Sequence, residues 1–334
     1  MRTLAISDLH LGSRSGRDLL RRPVVLDRLI AALRGIDRLV LLGDTLELVE
    51  TPADEALAAS QPVLRAIGAA LGPDREVVIL AGNHDYALVK PWVRQRLAGG
   101  VPIGADEAVP IDATPQLAAV AGWLAPASVQ VRYPGVWLTE GLWAHHGHYI
   151  DRHLLRRPLL HGEAISTADY ERAMSVPPAH LTSQFSSRLP APLGRMIDGG
   201  GQLLTRLVSL VRPFAGAIPG TALVAPIATR IIARQFEAAA LPALAAVTEH
   251  VAPEARQVAF GHVHRGGPQP RDLPARWSAG GRRLWNTGSW VYEPILLTGA
   301  GPEHPYWPGG ALLIDGAEVS AIRLLDDVDP RALR

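Results

Sequence analysis

The stretch Leu4-Ala5-Ile6-Ser7-Asp8-Leu9-His10 opens a pattern that recurs at Leu39-Val40-Leu41-Leu42-Gly43-Asp44 and at Val77-Val78-Ile79-Leu80-Ala81-Gly82-Asn83-His84-Asp85. Each copy is a short apolar run that ends in a polar cluster and is followed by residues with helical spacing. Runs of this length and β-branched content suit buried strands. The polar clusters lie 44 − 8 = 36 and 83 − 44 = 39 residues apart, which leaves room for one crossover helix each time. The pattern is therefore βαβαβ, a parallel sheet core. Ligand-binding residues in such sheets gather beyond the carboxyl ends of the strands, where these clusters fall.

Working outward, apolar runs at 136–144, 258–260 and 284–285 also end in polar residues and are expected to be further strands feeding the same site. Residues 311–319 read as a hairpin around Asp315-Gly316. Residues 100–130 show no clear periodicity. From 151 to 250 the strand pattern stops, and Leu, Ala and Arg at helical spacing, punctuated by Pro213, Pro219 and Pro226, predict a helical insertion. The expected organisation is a catalytic domain over 1–150 and 251–334, interrupted by a helical lid over 151–250.

Composition narrows the chemistry. The 334 residues are 48% hydrophobic and 19% charged, ample for a folded core. A net charge of +1 gives no global field to recruit nucleic acid, and aromatics at 5% provide no stacking stripe, so no nucleic-acid partner is expected. Cysteine is absent. That excludes disulfides, thiolate catalysis and sulfur-ligated metals, leaving histidine and carboxylate as the strong ligands.

Five clusters hold such residues: Asp8-Leu9-His10, Gly43-Asp44, Gly82-Asn83-His84-Asp85, His145-His146-Gly147-His148 and Gly261-His262-Val263-His264. Alone, each is a common strand-end turn. In this order they resemble the signature of the calcineurin-like metallophosphoesterases, over residues 1–150 and about 255–290. The resemblance implies an α/β fold, a four-layer αββα sandwich, with two divalent ions at its strand ends. Two ions about 3.5–4 Å apart need a bridging carboxylate, for which Asp44 is the natural choice. By family analogy Asp8, His10 and His264 complete one ion, and Asn83, His146 and His262 the other. Sulfur-free N/O ligands suit Mn, Fe or Zn, of which Mn is favoured. A water bridging the pair would have its pKa lowered toward neutrality and attack phosphorus in line.

In that family the histidine after the ligand Asn is not a ligand but acts on the transition state or the leaving oxygen. This gives His84 a catalytic role, with Asp85 expected to fix its tautomer. Alternation along a strand turns His145 away from His146, so His146 is the expected ligand. His148 is expected to touch substrate, with Asp151 orienting it; a solvent-facing pair is the alternative. Asn286-Thr287-Gly288-Ser289 reads as structural support behind the histidines.

The expected activity is hydrolysis of a phosphodiester, phosphomonoester or diphosphate; the alternative is an idle scaffold of the same fold. The His-Gly element at 146–147, followed by a long helical stretch before the Gly-His-x-His motif, resembles the UDP-2,3-diacylglucosamine pyrophosphatase-related branch, where such helices cover an acylated substrate. Two departures stand out: His148 where those enzymes typically carry Asp, and 262 − 146 = 116 positions between the elements. Residues 151–235 hold ten arginines against five acids within an apolar stretch, as interfacial elements do. A phosphorylated small-molecule or lipid substrate is therefore expected, with a possible membrane surface as partner. Since Asp8 already belongs to the site, a cleaved leader is not expected, and the location is read as cytoplasmic or peripheral at the inner membrane face.

Overall fold

The three repeated runs are strands β1 (Arg2–Ile6), β2 (Arg38–Leu42) and β3 (Glu76–Leu80), paired in parallel in that order. The computed structural model describes residues 1–154, 166–174 and 236–333. The remaining described strands are β4 (Asp106–Ala108), β5 (Ser128–Thr139), β6 (Leu142–His145), β7 (Gln257–Phe260), β8 (Ser278–Ala279), β9 (Arg282–Asn286), β10 (Gly310–Asp315) and β11 (Glu318–Arg323).

They form two sheets that share β5. Residues 128–132 of β5 pair in parallel with β3, and its later part pairs antiparallel with β6. One sheet thus runs β11-β10-β1-β2-β3-β5 and the other β5-β6-β7-β9-β8, with β4 beside β5. The run 136–144, expected as one strand, is a hairpin, because Glu140-Gly141 turns the chain with Gly141 at φ 82°. The C-terminal hairpin forms as expected. Asp315 pairs with Glu318, so its two-residue loop is Gly316-Ala317, and Gly316 takes the positive φ of 60° that a II′ turn needs at its first central residue.

Strand alternation explains the layers. Ala5, Val40, Leu42, Val78 and Leu80 of the first sheet meet Val136, Leu138, Ala144, Ala259 and Trp285 of the second in one buried cluster. The intervening Leu4, Ile6, Leu39, Leu41, Val77 and Ile79 face outward onto helices α1 (Pro23–Ala32), α2 (Ala53–Leu71), α3 (Lys90–Ala98) and α4 (Pro115–Trp123). On the far face of the second sheet Trp143, Val258, Phe260 and Leu284 pack on the helix Leu241–Val251. This is the four-layer αββα sandwich. Helix α4, in the stretch without sequence periodicity, starts where the Thr114 hydroxyl accepts from Leu117 N–H at 3.1 Å.

Of the segment expected as a lid, the short helix Asp151–Leu154 and the helix Thr167–Met174 are described. The helix Leu241–Val251, also inside that segment, belongs to the outer layer of the second sheet. Residues 155–165 and 175–235, with the proline-punctuated apolar run and most of the arginines, lie outside the described residues. Among the described residues no helix is long and apolar enough to cross a membrane.

Candidate metal centre

Asp8, Asp44, Asn83, His146 and His262 each follow the end of a strand: β1, β2, β3, β6 and β7 respectively. The loops after β1 and β2 are joined by backbone bonds, Asp8 N–H to Gly43 C=O at 3.1 Å and His10 N–H to Asp44 C=O at 2.9 Å. The non-glycine residues with positive φ among the described residues are Asp8, His10, Asp44, His262 and His264, at 46–68°. Each such left-handed residue costs about 1–3 kcal/mol, and strain of this kind concentrates at functional sites. Here it falls on five of the seven expected ligands. The loops also pass unusually close to one another: a Cβ on Gly82 would lie 2.2 Å from Asp44 Oδ1. Only glycine fits there.

Three groups of side chains converge: Asp8, His10 and His264; Asp44, His146 and His262; and His10, Asp44 and His84. Asp8 Oδ2 accepts from the Ser7 hydroxyl and from His262 N–H at 2.9 Å, while its Oδ1 faces His264 Nε2 at 3.2 Å and His10 Nε2 at 4.0 Å. Asp44 Oδ1 accepts from His84 N–H at 2.8 Å; its Oδ2 lies 3.2 Å from His146 Nε2 and 3.8 Å from His10 Nε2. That oxygen therefore sits between the two sets of histidines.

These close approaches do not satisfy the atoms involved. Asp8 Oδ1, His10 Nε2, Asn83 Oδ1 and His146 Nε2 are buried without a hydrogen-bond partner. Orphaned polar atoms of a native interior need an explanation, and three of these, on Asp8, His10 and His146, belong to the converging groups and fit a bound cation. The tautomers agree. His10 Nδ1 donates to Glu47 at 3.0 Å and His146 Nδ1 to the Leu42 carbonyl at 2.9 Å, which leaves each Nε2 free to ligate.

The electrostatics make the same demand. Burial would raise the Asp8 pKa, but the charges of His264 and His146 hold it at about 2. Asp44, against the same burial, is held well below its usual range by His146. Burial would lower His146, yet Asp44 and Asp8 push it up to about 10. The site favours positive charge strongly, and a divalent ion would supply it.

Glu47 is a residue of the cluster that sequence reading missed. It is buried and touches two imidazoles, His10 at Nδ1 and His84 at Nδ1, the latter at 2.9 and 2.8 Å from its two oxygens. Asp85, expected to orient His84, does something else. Its carboxylate accepts from Gly82 N–H and Thr45 N–H, both at 2.7 Å, and from Asp44 and Leu46 N–H, both at 3.3 Å. It ties the β3 loop to the β2 loop and has no acceptor to spare for an imidazole. Burial and the Asp44 charge raise its pKa to about 6. His84 loses some basicity to burial, but the Glu47 hydrogen bond and the Asp44 charge raise it to about 8. The signal in sequence was a carboxylate three residues after Asp44, set between Leu46 and Leu48.

His145 points away from the centre as alternation required. It stacks on Trp143 at 5.2 Å, and its Nδ1 accepts from Gly147 N–H at 2.9 Å. His148 does not take its expected place at the substrate surface. It is 0% exposed, stacked at 5.1 Å on His145, with burial holding its pKa well below the ordinary value. Asp151, expected beside His148, instead faces His262 Nε2 at 3.0 Å. Asn286-Thr287-Gly288-Ser289 is a support as expected: Asn286 Nδ2 donates to the Gly261 carbonyl at 2.9 Å, and the Thr287 hydroxyl meets Ser7 at 2.6 Å.

A protein-family model described as calcineurin-like phosphoesterase matches residues 1–184. The matched span covers more than half of the 334 residues and carries Asp8, His10, Asp44, Asn83, His84 and His146. It ends before His262 and His264. No curated protein was found to match the chain.

Proposed function

Because the chain belongs to the calcineurin-like phosphoesterases, we propose that it hydrolyses a phosphodiester, phosphomonoester or diphosphate bond with two divalent ions held by its strand-end cluster. The observation that carries the reading is the return of His262 and His264, from beyond the matched span, to Asp44 and Asp8. In this reading Asp8, His10 and His264 hold one ion and Asn83, His146 and His262 the other, with Asp44 shared. Such ions supply Lewis acidity to the phosphoryl oxygens and lower the pKa of a coordinated water.

The protein's own groups do the rest. Glu47 accepts the Nδ1 proton of His84, so His84 Nε2 is the atom that gives a proton to the leaving oxygen. Asp85 holds the Asp44 loop and is a positioning residue. The sulfur-free donor set supports Mn, with Fe or Zn as alternatives. The His146-Gly147 element, the long segment after it and the arginines of that segment support a diphosphate bearing acyl chains, met at a membrane surface.

The test is metal analysis of chelator-stripped protein reloaded with Mn, alongside hydrolysis of aryl phosphomonoesters, aryl phosphodiesters and nucleoside-diphosphate-sugar lipids. The parent should hold two ions, and Asp44→Ala should weaken both and abolish hydrolysis. An Asp44→Ala protein that keeps two tight ions would overturn the assignment.

A further inference from the structure

Glu171 lies on the helix Thr167–Met174, in the expected insertion, and has no part in the chemistry above. It is 0% exposed. Its Oε1 accepts from the Tyr133 hydroxyl at 2.6 Å and from the Tyr149 hydroxyl; its Oε2 accepts from the Tyr86 hydroxyl at 2.8 Å. Burial raises its pKa against these hydrogen bonds, which favour the ionised form. A carboxylate this deep is tolerated because fixed donors surround it.

The three tyrosines come from three elements. Tyr86 starts the turn directly after Asn83-His84-Asp85, beyond β3. Tyr149 lies in the turn directly after His146-Gly147, beyond β6. Tyr133 lies on β5, the strand that pairs with both β3 and β6. Glu171 therefore closes a triangle between the ends of β3 and β6 and the middle of β5. Two of its corners each stand three residues beyond an expected ligand of the same ion, Asn83 in one case and His146 in the other. A second contact reinforces it, since Tyr170 stacks on Tyr149 at 4.7 Å with the rings 6° from parallel.

We infer that Glu171 is a positioning residue that clamps the Asn83 and His146 loops together, so that the helix Thr167–Met174 sets the affinity of the second ion. The segment expected as a cover is thereby also part of the frame of the metal centre. The inference rests on the two-ion reading proposed above.

The experiment is a calorimetric titration of chelator-stripped protein with Mn²⁺, without substrate. Against a parent that binds two ions, Glu171→Ala should weaken one of them by about tenfold and leave the other unchanged. That is the low end of the loss seen when a group bonded directly to a ligand is removed, because Glu171 reaches the ligands only through Tyr86 and Tyr149. Glu171→Gln, whose amide oxygen still accepts, should recover part of the loss. Leu244→Ala, buried beneath the second sheet, is the control for general loosening: it should lower Tm and keep both affinities. Should Glu171→Ala fail to fold, Tyr86→Phe and Tyr149→Phe, each removing one hydroxyl, should show the same selective weakening.

If the foldable variants bind two ions as tightly as the parent, the clamp is wrong and the two-ion reading stands. If Leu244→Ala loses the same ion, the effect is loosening and the inference falls. A parent that binds fewer than two ions overturns both.

Discussion

The two halves of the centre are framed by different parts of the chain. Around Asp8, His10 and His264 every described partner comes from the strand-end loops of the sandwich: Ser7 and the His262 amide on Asp8, Thr287 behind Ser7, Glu47 on His10. Around Asn83, His146 and His262 the frame begins in the same way, with the Leu42 carbonyl on His146, but extends into later sequence. Asp151, its side chain 44% exposed, meets His262, and Glu171 joins the turns beyond Asn83 and His146. One half is completed within the strand-end loops of the two sheets; the other leans on residues of the segment between β6 and β7. Changes in that segment should therefore reach the second half first.

After Asp44, shared by both halves, the largest effect should come from a residue that belongs to neither. His84→Ala removes an imidazole that sits edge-on to His10 at 4.5 Å yet is not an expected ligand. Its kcat should fall by about 10²- to 10⁴-fold while two ions remain bound. The loss should shrink for substrates whose leaving group needs no proton. Full activity on a poor leaving group would make His84 structural.

Glu47→Ala separates the halves. It strips the Nδ1 partner from His10 and from His84 together, so it should weaken the first ion by about 10- to 100-fold and also lower kcat. The second ion should be untouched. Glu47→Gln should restore part of the metal affinity, because one amide oxygen can still accept from one imidazole. Metal titration that finds both ions equally weakened would erase the distinction between the halves.

How much of this could be read in the sequence follows from what kind of contact each feature depends on. The strands β1, β2 and β3 announce themselves because each is an apolar run whose two faces are both covered, and the ligands because they recur at fixed places beyond those runs. The turn at Gly141 was hidden because apolar residues continue through both strands of its hairpin. Helix α4 was hidden because its burial falls on Leu117, Val120 and Ala121 within a nearly uniform apolar stretch, without the polar contrast that marks a face. The misplaced carboxylates share one cause. Asp85 and Asp151 were assigned by nearness in sequence, whereas they reach across the gaps between loops to Thr45 and His262; His148, expected at the substrate, stays local and stacks on His145. Glu47 and Glu171 were missed for the same reason as those carboxylates: a carboxylate's partners 22 to 85 positions away leave no local mark.

The smallest effect is the one that tests this lesson most directly. His148 lies under the second half, 5.5 Å ring to ring from His146, and both of its ring nitrogens are buried without partners. If it is a packing residue, a side chain of similar volume without polar atoms should serve as well. Volume-conserving swaps in a core usually cost less than about 1.5 kcal/mol, and removing a buried group that makes no hydrogen bond returns a desolvation cost of about 1–3 kcal/mol. His148→Leu should therefore leave Tm near the parent's or raise it, with both ion affinities and kcat/KM unchanged. The stacking on His145 is lost, which limits the gain. A folded His148→Leu protein whose KM rises at least tenfold with kcat unchanged would return His148 to the substrate, and would mean that the centre opens on binding in a way the buried arrangement does not display.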